Sequence, residues 1–234
     1  MHTERGFVRH AITRLSPKAE FAIVLIAAFG PLIGLSTIDA VSRASGSLTD
    51  ARLWLLLLYE LVVGGALLVF LGIRGWPIRS IAPRPSLKDA VVGVAFALAT
   101  LLCIAILFVV TARLFPGAPM GLEGGAVAGQ LGFATILFVS VVNPVFEEFF
   151  VNAYLITALT KQGSRLATAL AVGIAVRLLY HSYLGTVVAP LTLIPMGLIF
   201  GYAFARQRRL WPAAVAHAVT DFASLGGLVY LGVS

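Results

Sequence analysis

The sequence is poor in charge. Only 12% of its 234 residues are Asp, Glu, Lys or Arg, against about 25% in soluble domains. That shortage excludes a chain whose only solvent is water. Cysteine is nearly absent as well. Cys103 stands alone in an apolar run, so neither a disulfide framework nor a thiolate metal cluster can be built. Acidic residues are scarcer than basic ones, 10 against 17, which leaves a net charge of +7. A basic balance of that size suits nucleic acid. The Lys and Arg, however, lie between apolar segments, where the positive-inside rule puts them, so no nucleic-acid partner is expected. No low-complexity tract or internal repeat interrupts the chain.

What is abundant is apolar length. Hydrophobic residues make up 59% of the chain, and the mean hydropathy is +0.98. After a basic arm at Met1–Lys18, seven apolar runs follow: Ala19–Val41, Leu53–Ile73, Ala90–Leu114, Gly125–Thr160, Leu166–Tyr183, Val188–Ala205 and Trp211–Leu231. About 20 residues suffice to cross a bilayer. Ala19–Val41 is too long for the apolar part of a signal peptide and lacks a small-residue cleavage site after it, so it reads as a retained first helix. The expected fold is all-α, a polytopic transmembrane bundle of about seven spans. Residues 19–234 form one membrane domain behind a cytoplasmic arm of residues 1–18.

The fourth run is too long for one straight crossing, at roughly 54 Å of helix against a ~30 Å core. Pro144 removes a backbone donor and is expected to break or kink it near Asn143. A broken or tilted element then holds Glu147 and Glu148 in the first turn after the break, where the helix dipole favours carboxylates.

Charge distribution orients the bundle. With the N-terminus cytoplasmic, thirteen Lys and Arg fall in the arm, in Arg74–Lys88, at Lys161 and Arg165, and in Arg206–Arg209. Only Arg43, Arg52 and Arg113 fall on the other side. Trp76 and Trp211 then mark the cytoplasmic boundary and Trp54 the outer one, as interfacial anchors do. The protein is thus expected to be a multi-pass integral membrane protein with lipid as its main surroundings.

A few ionisable groups remain inside the spans: Glu60, Glu147, Glu148, Arg177, His181, His217 and Asp221. A charge at the bilayer centre costs about 2.5–3.5 kcal/mol or more, so such residues mark function by default. His2 and His10 lie in the soluble arm and carry no assignment. Helical spacing puts Glu148 with Asn152, Arg177 with His181, and His217 with Asp221 on common faces. Counting at about 1.5 Å per residue places all three faces at similar depth. A carboxylate beside an imidazole can deprotonate a water. A second imidazole with a polar i+4 neighbour can donate to an oxyanion. The same Glu, His, His and Asp could instead ligate zinc, with Glu147, His181 and His217 as the first candidates.

The order Glu147-Glu148-x-x-x-Asn152, then His181, then Gly201 through the arginine-rich turn to Leu210-Trp211-Pro212 and His217-x-x-x-Asp221, resembles the CPBP family of intramembrane proteases. That family includes the type II CAAX prenyl endopeptidases and bacterial Abi-type proteins. The likeness covers about Leu131–Leu231, giving a CPBP-like core at about residues 125–231, and does not reach the first three spans. It implies Glu147 and His181 as the water-activating pair, with Glu148 beside them, and His217 with Asp221 as the oxyanion site. It also leaves two accounts open, a glutamate mechanism without metal and a zinc-dependent one. The favoured reading needs no cofactor.

Three positions depart from the family pattern. Asn152 stands where the motif has Arg, Arg177 where Phe is usual, and Asp221 where the last Asn is expected. Arg177 is expected to replace the missing cation beside Glu148. An ionised Asp221 would repel an oxyanion unless it pairs with a cation or orients His217. Glu60 is read as a structural partner, Tyr180 and Tyr183 as core aromatics, and Gly173, Gly185, Gly197 and Gly201 as points of close helix approach.

The function expected is therefore cleavage of a membrane-associated peptide or protein, a class that includes prenylated and leader-bearing substrates, at a site below the cytoplasmic surface. Two rivals stand beside it. One is an inactive family member acting as an immunity or scaffold protein. The other is a proton-coupled carrier, which the lack of an inverted repeat disfavours.

Overall fold

The computed structural model describes residues 12–42, 48–120 and 131–230, the last three as backbone alone. His2 and His10, most of the basic arm, Arg43, the start of the fourth run at Gly125 and the end of the seventh at Leu231 lie outside the described residues. The described part is a helical bundle: α1 (Pro17–Ser42), α2 (Asp50–Ile73), the short α3 (Ile78–Ile81), α4 (Leu87–Leu114), α5 (Phe133–Lys161), α6 (Leu166–Tyr180), α7 (Val188–Gln207) and α8 (Trp211–Tyr230). Each expected span corresponds to one long helix. Five of them, α1, α2, α4, α5 and α7, are long and apolar enough to cross a membrane.

Sequence accounts for the ends. Thr49 caps α2 by accepting the Arg52 N–H. Ser86 caps α4 through a reciprocal pair with Asp89, which satisfies backbone donors that a helix start leaves free. Asp89 also receives two hydrogen bonds from Arg209, at 2.7 and 2.6 Å, and the Trp211 indole donates to the Pro83 carbonyl. The arginine-rich turn before α8 is thereby tied to the start of α4.

α5 is the axis of the bundle. In its apolar window 61% of residues are buried, against 17–28% in α1, α2 and α4, which turn most of their surface to lipid. The main core gathers Phe146, Phe150, Tyr154 and Ile156 of α5 with Phe29 of α1, Leu71 of α2 and Phe204 of α7.

The break expected at Pro144 does not occur. Helix continues through Pro144, and the change comes at Glu148, where the backbone widens into a π-helical run from Glu148 to Ile156 before resuming as α. Glu147 and Glu148 therefore sit in mid-helix and gain nothing from a helix N-terminus. The two-part character of the element is real, but its boundary lies four residues beyond the proline. All nine residues of the π run are buried. Such runs mark functional positions.

α6 is shorter than expected. It stops at Tyr180, after 15 residues, about 22 Å of helix. His181 caps it, Ser182–Leu184 form one 3₁₀ turn, and Gly185 takes φ +85° before α7 begins. Gly185 is thus a turn glycine rather than a point of close helix approach. Gly197 and Gly201 are true approaches, since an added Cβ would stand 2.5 Å from Ile174 and 2.6 Å from Leu170.

The least yielding approach is Gly93 of α4, where a Cβ would lie 2.6 Å from Val215 and 2.8 Å from the Pro212 carbonyl oxygen. Backbone cannot yield as a side-chain tip can. Gly93→Val is expected to destabilise by about 1–3 kcal/mol through overpacking. Thermal unfolding in detergent measures it. Gly65→Ala, at a position with no atom within 4 Å, serves as the neutral control.

Candidate active site

α5 brings four polar side chains to one level: Asn143, Glu147, Glu148 and Asn152. Each is nearly inaccessible, with Glu147 at 2% and Glu148 at 0% exposure. Opposite them stands Arg177 of α6, also at 0%. Its Nη1 lies 3.0 Å from Glu147 Oε2 and its Nη2 2.5 Å from Glu148 Oε1. The expected pairing of Arg177 with Glu148 is present, and Arg177 clamps Glu147 as well. Asn152 donates to the other oxygen of Glu148. The departures at positions 152 and 177 compensate each other, because the cation missing from α5 is supplied across the interface by α6.

Glu147 is held on both oxygens. Oε1 accepts from Asn143 Nδ2 at 3.1 Å. Oε2 accepts from Arg177 and, at 2.5 Å, from the Tyr180 hydroxyl. The Arg177–Glu148 pair therefore does not leave Glu147 free. Asn143 also donates to Glu60 Oε1 at 2.6 Å, so Glu60 is a structural partner as expected, joined to Glu147 through one amide. Glu60 Oε2 has no hydrogen-bond partner among the described residues.

α8 contributes His217 and Asp221. The His217 Nδ1 lies 2.8 Å from Glu148 Oε1, and its Nε2 lies 3.3 Å from Asp221 Oδ1 and 3.9 Å from Glu147 Oε2. Both ring nitrogens thus face carboxylate oxygen. Asp221 orients this ring, which answers the objection that its charge would act on an oxyanion directly. His181, by contrast, does not touch a carboxylate. Its Nδ1 lies 3.2 Å from the Arg177 carbonyl oxygen, and its ring packs between those of Tyr180 and Tyr183. Ser36 of α1 fixes the loop that carries it. The Ser36 hydroxyl accepts the Tyr183 N–H at 3.1 Å and pairs with the Ser182 hydroxyl at 2.8 Å.

Glu147, Arg177, His181, His217 and Asp221 line one cavity of about 770 Å³. Glu148 and Asn152 do not line it; Glu148 holds Arg177 and His217 from behind the wall, and Asn152 holds Glu148. Non-helical backbone at membrane depth is tolerated only where it is enclosed by protein or borders water. The turn after Tyr180, which borders this cavity, meets that condition.

A zinc ion does not fit this donor set. No three His, Cys, Asp or Glu side chains are grouped to hold a metal among the described residues. Arg177 already places a cation against both glutamates, and each nitrogen of His217 faces a different carboxylate. Glu147, His181 and His217 share the cavity without converging on one point.

Asn143 and Tyr180 are the site residues that sequence reasoning passed over. Asn143 is i−4 to Glu147, a spacing that was legible, but a break at Pro144 would have separated the two. Tyr180 lies i+3 to Arg177 on the same face, and only its proximity to Glu147 distinguishes it from a core aromatic.

Residues 129–223 match the family model described as type II CAAX prenyl endopeptidase Rce1-like. Through this stretch the chain is similar to that family of membrane proteases. The matched stretch holds every residue of the cavity wall that carries a charge or an imidazole, apart from Asp39 and Arg52 at its far end. No curated protein matches the chain. No solved structure matches it either. Glu60, Ser36 and the rest of α1, α2 and α4 lie outside the family match and support the site from there.

Proposed function

We propose that this chain hydrolyses a peptide bond of a membrane-associated substrate by means of a water held between Glu147 and His181. The water oxygen attacks the scissile carbonyl carbon while its proton passes to the Glu147–His181 pair. The oxyanion that forms shares the His217 Nε2–H with Asp221, while Glu148 holds Nδ1 of the same ring, and Arg177 contributes positive charge along the same wall. The C–N bond then breaks, and the leaving amine takes the proton that the water gave up. The observation that supports this reading is the meeting of two carboxylates, two imidazoles and one guanidinium on a single cavity.

The full hydrogen bonding of Glu147 favours a second reading, in which the network is structural and the chain serves as an inactive scaffold or immunity protein. Reconstituted protein assayed on tagged membrane peptides separates the two. Cleavage that is lost in Glu147→Ala supports the protease, and absence of cleavage across a peptide panel supports the scaffold. The reading assigns no metal. Strong chelators are accordingly expected to leave the cleavage rate unchanged, and a loss restored by added zinc would return the metal account.

A further inference from the structure

The position of the cavity along the bundle carries an inference that rests on the topology rather than on the chemistry. The helices have two ends. At one end lie the starts of α1 and α4, the ends of α2 and α5, and the turn between α7 and α8. This end carries Arg14, Lys18, Arg74, Lys88, Lys161 and Arg206 to Arg209, and the positive-inside rule makes it cytoplasmic. It is also closed. Glu20 accepts from Arg74 at 2.5 Å and from the Trp76 indole at 2.7 Å, while Arg209 and Trp211 seal the start of α4.

The cavity extends from the middle of the bundle into the other half. Its wall runs from the catalytic level to Asp39 near the end of α1, Leu48 and Arg52 at the start of α2, Met120 beyond α4, and Ser224 and Gly227 near the end of α8. No residue of the basic end lines it. At its far end Arg52, whose side chain is 44% exposed, pairs with Asp39 at 3.0 Å. Among the described residues the wall runs from Glu147 and His217 toward the face opposite the arginines.

We infer that the site is served from the non-cytoplasmic face, and that its substrate is a membrane-anchored peptide segment presented there, entering past the Asp39–Arg52 pair. This replaces the cytoplasmic access expected from sequence. A peptide whose modified end stays in the cytoplasm could not reach Glu147 by this route.

The test labels single cysteines in a Cys103→Ala background with a membrane-impermeant maleimide on intact cells. Ser224→Cys, in the cavity, is expected to label from outside. Gln207→Cys, in the basic turn, is expected to label only after permeabilisation. Labelling of position 207 from outside, or of position 224 only after permeabilisation, overturns the inference. These readouts do not require catalysis, so they stand even if the protease reading fails. A second arm co-expresses two single-span reporters bearing the same scissile segment on opposite faces. Cleavage of the outer reporter alone is the result expected, and cleavage of the cytoplasmic one alone overturns the substrate assignment. If neither reporter is cut, the protease reading falls while the labelling still decides the face.

Discussion

Arg177→Met is expected to cost about 3–5 kcal/mol of stability, because it removes one partner of a fully buried ionic cluster and leaves charge without compensation. The geometry sharpens the expectation beyond a simple pair. Arg177 reaches Glu147 at 3.0 Å and Glu148 at 2.5 Å. Neutralising only Glu148, in Arg177→Met with Glu148→Gln, still leaves Glu147 facing the gap, so recovery should be partial. Adding Glu147→Gln should recover most of the remainder. Thermal unfolding in detergent across the single, double and triple variants supplies the coupling energies. Additive losses with no recovery would show that Arg177 does not serve as the counter-ion of the pair.

The second large effect concerns turnover. Glu147→Gln and His181→Ala should each reduce peptide cleavage by two or more orders of magnitude, since general-base assistance contributes about 10²–10⁴. The two differ in what else they disturb. Gln at position 147 keeps an acceptor for Asn143 and Tyr180 but forfeits the charge that Arg177 expects, so some loss of stability should accompany it. Among the described residues the His181 ring hydrogen-bonds the Arg177 carbonyl alone and packs against two aromatic rings, so His181→Ala should leave the unfolding temperature close to that of the parent. Full activity in His181→Ala would remove that residue from the mechanism, whatever Glu147 does.

The site was legible in the sequence wherever cost made it so. A guanidinium inside a span requires an anion, and Glu148 lacked its motif arginine, so the Arg177–Glu148 contact followed from those two facts. His217 and Asp221 could be joined by helical spacing alone. The second contact of Arg177 was hidden because neighbours in an ordinary α-helix diverge by about 100°, and the widening of the helix from Glu148 onward has no mark in the sequence. Pro144 misled for a related reason, since the sequence does not show which neighbours will shelter an unbonded carbonyl. The early stop of α6 was hidden by composition, because Leu166–Tyr183 is almost uniformly apolar on either side of Tyr180. The glycine at position 185 was the available signal, and it was read as packing. Which half of the bundle holds the cavity depends on how side chains from seven helices fill space, and no pattern along the chain encodes that.

The Ser36 hydroxyl, which holds the backbone of Tyr183 and the side chain of Ser182, bears on where a workable unit can be cut. The stretch that matches the family model begins after α4, yet the loop carrying His181 is fastened from α1, and Glu147 is braced through Asn143 by Glu60 of α2. Inheritance and mechanics thus draw different borders. A chimera that grafts residues 129–223 onto the leading helices of a member of that family would keep the motif and lose its moorings, unless the serine and the glutamate travelled with it.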